Sequence, residues 1–250
     1  MLLVEVIPIL RDNYAYFICD QRTGTTAVID PGLAIPIMKH LNNRKLDYIL
    51  NTHHHWDHTD GNLDLKKYTR AQLISPEQES FLIQGADLAV SGYFKFGECT
   101  VDVLHVPGHT LGHVAFFFRE DKILFSGDTL FIAGCGRVFE GTIEQMYNNM
   151  LLLKNLPPET KVYCGHEYTA YNVRFALSIE PQNKALQDFY KKIKTLRLQG
   201  NPTVPSTIAD EKLINPFFRL DSQEIREQIN MQNASDLQVF AKIRSLKDAF

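Results

Sequence analysis

The sequence predicts an α/β protein in which two β-sheets pack together with helices outside, followed by a helical C-terminal part. Three observations predict it. Short apolar runs bounded by Gly, Pro, Asn and Asp recur through the first two-thirds of the chain. Several of these runs end directly in histidine or aspartate, where open α/β sheets carry their ligand sites. From about Tyr168 onward, strand patterns give way to helical ones. The expected units are residues 1–167 and a helical 168–250, joined without a low-complexity linker.

Composition narrows the class. A 250-residue chain with 44% hydrophobic residues can bury a globular core. A net charge of −3 gives no overall signal for nucleic acid or a membrane surface. No apolar stretch approaches the length of a membrane span. The opening Met1-Leu2-Leu3-Val4-Glu5-Val6-Ile7-Pro8 lacks the features of a signal peptide and reads as a first strand. The four cysteines, Cys19, Cys99, Cys135 and Cys164, form no Cys-x-x-Cys pair. A reduced cytoplasmic setting and a monomer are the expectations.

The elements follow in order. Strands are expected at Leu2–Ile9, Ala15–Cys19, Thr26–Asp30, Tyr48–Asn51, Gln72–Ser75, Val101–Val106, Val114–Phe118, Ile123–Ser126 and Lys161–Cys164. Asp12-Asn13 is a turn-type pair between the first two. Helices are expected at Ile35–Asn42, after Pro31-Gly32, and at Ile143–Leu153, after the cap Thr142. The C-terminal part offers helices at Tyr171–Ile179, Lys184–Gln199, Ser206–Lys212, Ser222–Asn230 and Asp236–Leu246, punctuated by Pro181, Pro202 and Pro205.

The densest chemistry is Asn51-Thr52-His53-His54-His55-Trp56-Asp57-His58, on the loop leaving the Tyr48–Asn51 strand. His53, His55, Asp57 and His58 are ligand types for a borderline divalent cation. Four donors in six residues are too crowded for one tetrahedral ion, so the spacing predicts two metals completed from elsewhere. Asp30, ending a strand before Pro31-Gly32, either orients a ligand or forms a turn. Pro107-Gly108-His109 projects His109 from a strand end, with Gly108 expected to leave room for a metal beside the backbone. His113 is expected behind a ligand or in the core, and Cys164 is expected to be a small buried residue. Ser126-Gly127-Asp128 and Cys164-Gly165-His166 repeat the pattern of apolar strand, glycine, then ligand. Asp128, with two carboxylate oxygens, is the expected bridge. One site would take His53, His55, His109 and Asp128; the other Asp57, His58, His166 and Asp128. Positions left open at both ions favour catalysis over a structural role. Asp57 and Asp128 are then the carboxylates expected to serve the reaction as well as the ions, Asp57 by orienting the nucleophile.

These motifs, in order and spacing, resemble the metallo-β-lactamase superfamily. Gly134-Cys135-Gly136-Arg137, Gly165-His166-Glu167-Tyr168-Thr169, Asn215-Pro216-Phe217-Phe218-Arg219 and Arg244-Ser245-Leu246-Lys247-Asp248 look like one branch, the glyoxalase II or hydroxyacylglutathione hydrolase family. The resemblance covers essentially the whole chain. It implies an αβ/βα sandwich of two mixed sheets flanked by helices, with a helical C-terminal substrate-binding domain. It implies hydrolysis of S-D-lactoylglutathione to D-lactate and glutathione, the second step of methylglyoxal detoxification. It implies two divalent metals, zinc first, with iron and manganese as alternatives. Arg137, Phe139, Tyr168, Arg244 and Lys247 stand at the family's glutathione contacts. Phe139 departs from members with tyrosine there and lacks the hydroxyl. The competing readings are a lactam or phosphodiester hydrolase of the same fold and a mononuclear iron sulfur dioxygenase.

Overall fold

The computed structural model describes all residues 1–250. The first sheet is built in chain order from β1 (Leu2–Ile9), β2 (Asn13–Asp20), β3 (Thr25–Ile29), β4 (Tyr48–Leu50), β5 (Gln72–Pro76) and β6 (Leu88–Val90). β1 to β3 form an antiparallel meander, and β3 to β6 run parallel. Their crossovers carry α1 (Ala34–Leu41), the single turn α2 (Trp56–Thr59) and α3 (Asn62–Thr69). The second sheet begins with the meander β7 (Gly92–Phe96), β8 (Cys99–His105), β9 (Val114–Phe118) and β10 (Ile123–Gly127). A small hairpin follows, β11 (Leu130–Phe131) and β12 (Gly134–Cys135), and then α4 (Ile143–Lys154). α4 leads to β13 (Lys161–Cys164), which lies parallel to β10. Both sheets are therefore mixed, as expected for the sandwich.

Period-two alternation explains why the strands read as continuous apolar runs. In β9, Val114, Phe116 and Phe118 face the core between the sheets, while Ala115 and Phe117 face the helices outside. The inter-sheet core joins Ile18, Ile29 and Leu50 to Phe116, Phe118 and Phe125. Behind the first sheet, Phe17, Val28 and Ile49 pack on Ile37 of α1 and Leu65 of α3. Thr142 caps α4 in a reciprocal box with Gln145, as its position before the apolar run predicted.

The C-terminal part holds α5 (Thr169–Ile179), α6 (Lys184–Leu198), α7 (Ile208–Ile214), α8 (Gln223–Gln228) and α9 (Asp236–Ala249). One expectation for it fails. Ser206–Lys212 is not a single helix, because Ser206–Thr207 forms strand β14, antiparallel to β13 at the edge of the second sheet. The Thr207 side chain then accepts from Asp210 N at 3.0 Å, capping α7. The C-terminal chain is thus stitched into the sandwich. Its clamp deepens at Asn215, whose amide donates to Gly134 O at 3.0 Å, and at Glu211, which accepts from Ala133 N at 2.9 Å. α3, β6 and β7 were not anticipated: α3 has little apolar periodicity, and β6 and β7 are short, mostly exposed edge strands. No helix is long and apolar enough to cross a membrane.

Candidate metal centre and substrate cleft

Strand register brings the donors together. β3 and β4 pair in parallel with Ile29 opposite Leu50, so Asp30 lies beside the start of the histidine loop. β10 and β13 pair with Gly127 opposite Cys164, so Asp128 and His166 leave neighbouring strand ends. Gly165 is required there: a Cβ would lie 2.3 Å from Asp128 Oδ1 and 2.8 Å from His58 Cε1. Gly108 acts differently from the sequence expectation. A Cβ at 108 would press on the Met146 side chain at 3.1 Å, so the space is filled by α4 and not reserved for a metal.

The structure gathers all seven expected donors. His55 Nδ1 lies 3.1 Å from His53 Nε2 and 3.0 Å from His109 Nε2. His166 Nε2 lies 3.4 Å from both His58 Nε2 and Asp57 Oδ2. The Asp128 carboxylate sits between the two groups. Its Oδ2 is 3.4 Å from His109 Nε2 and 3.2 Å from His166 Nε2, and its Oδ1 is 3.5 Å from His58 Nε2.

The far nitrogen of four rings is fixed. Thr52 donates its hydroxyl to Asp30 Oδ2 at 2.7 Å, leaving it to accept from His53 Nδ1 at 3.0 Å. His58 Nδ1 meets Asp30 Oδ2 at 3.1 Å, His109 Nδ1 meets Arg137 O at 3.0 Å, and His166 Nδ1 meets Asp12 Oδ1 at 2.9 Å. Each ring therefore turns its Nε2 inward, the arrangement by which outer partners orient metal-binding imidazoles. Asp30 is thus an orienting carboxylate. His113 stands behind the site, its Nε2 accepting from Asp128 N at 3.1 Å. Cys164 is buried, its thiol directed at His166 O.

A cluster of ring nitrogens and carboxylate oxygens at these separations calls for a shared positive charge. Asp128 Oδ1 is buried without a hydrogen-bond partner. Burial drives the His53 imidazole well below its usual pKa and brings His55 to about 4, so both rings are neutral donors at pH 7. Burial also opposes charge on His166, but the Asp128, Asp12 and Asp57 carboxylates outweigh it and raise its pKa to about 10. Nitrogen and carboxylate donors of this kind suit divalent transition metals. The residues present fit such ions: His53, His55 and His109 form one donor group, and Asp57, His58 and His166 another.

The centre floors a cleft of about 560 Å³. Phe139, 61% exposed, lies with its ring 5.1 Å from that of His109. Tyr168 stacks on His166 at 4.6 Å and 5°. Arg244 and Lys247 are buried on the inner side of α9, and both line the cleft. Arg244 donates to Cys135 O at 2.7 Å and to Asp248 Oδ1 at 2.9 Å. The Lys247 ammonium has no hydrogen-bond partner and lies 3.5 Å over the Tyr171 ring. Burial, with Arg244 adding to it, pushes its pKa down to about 7. Arg137 is 63% exposed, with Nε 3.7 Å from Asp248 Oδ1.

Sequence reasoning missed Asp12 and Asn13 as parts of the site. Asn13 Nδ2 donates to Asp57 Oδ2 at 2.9 Å, so the turn between β1 and β2 braces both Asp57 and His166. It also missed Trp56, Tyr171 and Asn172 on the cleft wall. Two polar residues at a hairpin turn were the only available signal for the first pair.

The sandwich and its strand-end His/Asp cluster define a member of the metallo-beta-lactamase superfamily, whose sequence profile matches residues 9–166. The structure is similar to the BLEG-1 B3 metallo-beta-lactamase (TM-score 0.67, 21% identity, 87% of this chain and 100% of that one), a likeness of fold. The profile for the hydroxyacylglutathione hydrolase C-terminus matches residues 167–250. The hydroxyacylglutathione hydrolase of Methylococcus capsulatus is 45% identical over 254 residues, covering 100% of this chain and 99% of its own. That of Rhodospirillum rubrum is 43% identical over 251 residues, covering 99% and 98%. The chain belongs to the hydroxyacylglutathione hydrolase family.

Proposed function

We propose that this chain hydrolyses glutathione thioesters of 2-hydroxy acids, S-D-lactoylglutathione first among them, releasing the hydroxy acid and glutathione. The observation that carries the reading is the joining of two features in one cleft: a floor of inward-aimed imidazoles around Asp128, and a wall carrying Arg137, Arg244 and Lys247. Residues 168–250 serve as the substrate-binding unit, since α9 brings two of those three cations.

His53, His55 and His109 would hold one divalent ion, and Asp57, His58 and His166 the second, with Asp128 between them. Zinc is the first choice for this donor set, with iron and manganese as alternatives. Such ions, when bound, supply Lewis acidity and bring the pKa of a bound water from about 15.7 toward about 7. The chain's own groups do the rest. Asp57, braced by Asn13, presents a carboxylate to orient water at the cleft floor. Arginine pairs with carboxylates in a fixed fork, so Arg244 and Arg137, together with the Lys247 ammonium, suit the two carboxylates of glutathione. The Phe139 ring packs along the substrate without contributing a hydroxyl. Departure of the thiolate needs no dedicated acid, because a thiol pKa of about 8.5 makes it a good leaving group.

The test is hydrolysis of S-D-lactoylglutathione by the purified protein, with metal content measured on the same sample before and after chelation. The expected result is fast hydrolysis with about two metals per chain, lost on chelation and restored by zinc or manganese. Two bound metals without thioester hydrolysis would move the substrate to a lactam, a phosphodiester or another thioester.

A further inference from the structure

His54 lies between two donor histidines in the chain, yet neither the donor cluster nor the basic wall uses it. Its ring stands between two carboxylates instead. Nδ1 is 3.1 Å from Glu79 Oε2, and Nε2 is 3.3 Å from Glu140 Oε1. Each glutamate spends its other oxygen on the loop that follows β8. Glu79 Oε1 accepts from the Thr110 hydroxyl and from Gly112 N at 3.0 Å. Glu140 Oε2 accepts from Leu111 N at 2.9 Å. That loop carries His109, and the segment carrying Glu140 begins at Arg137, whose carbonyl holds His109 Nδ1.

Glu79 is only 2% exposed, in the turn Glu77–Glu79 after β5. An ionised carboxylate buried that deeply needs partners. His54 Nδ1 and Glu79 Oε2 are both buried and neither makes a hydrogen bond, so their 3.1 Å approach is a contact of distance alone.

We propose that His54 is a positioning residue. By joining Glu79 to Glu140 it locks the His53–His55 segment against the His109 loop, and so fixes the separation of the three imidazoles in the first donor group. The proposal rests on the reading of that group as a cation site, and not on the identity of the thioester. It also gives the middle histidine of the run a task that the donor spacing leaves unassigned.

The test is a Zn²⁺ titration of the metal-free protein against a competing chelator, for wild type, His54→Ala, His54→Gln and Glu140→Gln. Melting of each metal-free protein and steady-state kinetics on S-D-lactoylglutathione are followed alongside. Loss of an outer partner typically weakens metal affinity about 10–100-fold. His54→Ala is expected to show that loss at one of two equivalents, with kcat lowered, KM little changed and the metal-free melting temperature kept. His54→Gln, whose amide retains a donor, recovers part of the affinity. Wild-type affinity at both equivalents in His54→Ala overturns the proposal, as does a fall in melting temperature that accounts for the whole affinity loss. Should His54→Ala fail to fold, Glu140→Gln at a more exposed position decides, and unchanged zinc affinity there overturns the proposal. Weakened zinc binding without thioesterase activity in any protein, wild type included, keeps the role of His54 and removes the substrate reading. Wild-type hydrolysis with unaltered zinc affinity in His54→Ala does the reverse.

Discussion

The floor of the cleft and its basic wall are held in different ways. On the floor, His53, His58, His109 and His166 each have the far ring nitrogen fixed by a hydroxyl, a carboxylate or a carbonyl. Thr52 and Asp30 sit at strand ends whose register is set by the first sheet, Asp12 in the turn before β2 and Arg137 on the loop after β12. On the wall, Arg137 is largely exposed, and the Lys247 ammonium touches only aromatic faces. The floor is preorganised and intolerant of change. Lys247 holds charge in reserve for a ligand that brings its own carboxylates, while Arg244 is already paired with Cys135 O and Asp248. Substitutions on the floor should therefore remove metal and turnover together, and those on the wall should weaken binding while sparing the chemical step.

The largest effect belongs to Asp128, which faces both donor groups. Asp128→Ala should lose both metals and lower kcat by about a thousandfold or more, beyond the 10–100-fold typical of an outer partner. Metal analysis and kinetics on one preparation check it, and full metal with full rate would break the bridge assignment. Asp30→Ala comes next. It removes the carboxylate that holds Thr52 and His58, so metal affinity should fall about 10–100-fold, read by chelator competition.

On the wall, Arg244→Ala or Lys247→Ala should raise KM about 10–100-fold, the equivalent of a charge-assisted hydrogen bond worth about 1.5–3 kcal/mol, with kcat little altered. Lys247 also predicts a pH dependence. With its pKa brought to about 7 in the free protein, it is charged below that pH and neutral above it. Its contribution to kcat/KM should fade as pH rises through about 7, and Lys247→Arg should keep binding to higher pH. A kcat/KM profile with no change between wild type and Lys247→Arg would contradict this.

The remaining effect lies behind the wall and bears on stability, not on turnover. Burial raises the Glu211 carboxyl from 4.5 to about 7. Its folded pKa thus exceeds its unfolded one, so its stabilising contribution is full below about 4.5 and is lost as pH rises through about 7. Denaturant unfolding should show wild-type stability declining across that window by at most about 3 kcal/mol, and a shallower decline in Glu211→Gln.

The same contrast explains what the sequence disclosed. All seven floor donors follow one local grammar, an apolar strand that stops and then delivers histidine or aspartate, so they could be read without neighbours. The cations of the wall lie on α9 and on the loop after β12, far apart in sequence, and only family resemblance singled them out. Taken alone, Arg244 and Lys247 read as a solvated helix face, whereas packing against Tyr171 and Cys135 buries them. Asp12 and Asn13 read as turn formers because turns favour those residues for local reasons. Their reach to Asp57 and His166 depends on a contact across the fold. The two-residue strand β14 was too short to show a period, and only its pairing with β13 reveals it.

The most direct test of the division between floor and wall is a comparison of two substrates on the wild-type protein: S-D-lactoylglutathione and the same thioester with its glycine carboxylate converted to the amide. The account predicts that the amide loses at least about tenfold in kcat/KM, through KM, with kcat nearly unchanged, and that Arg244→Ala removes most of the difference. Equal kcat/KM for the two thioesters in the wild-type protein would contradict it.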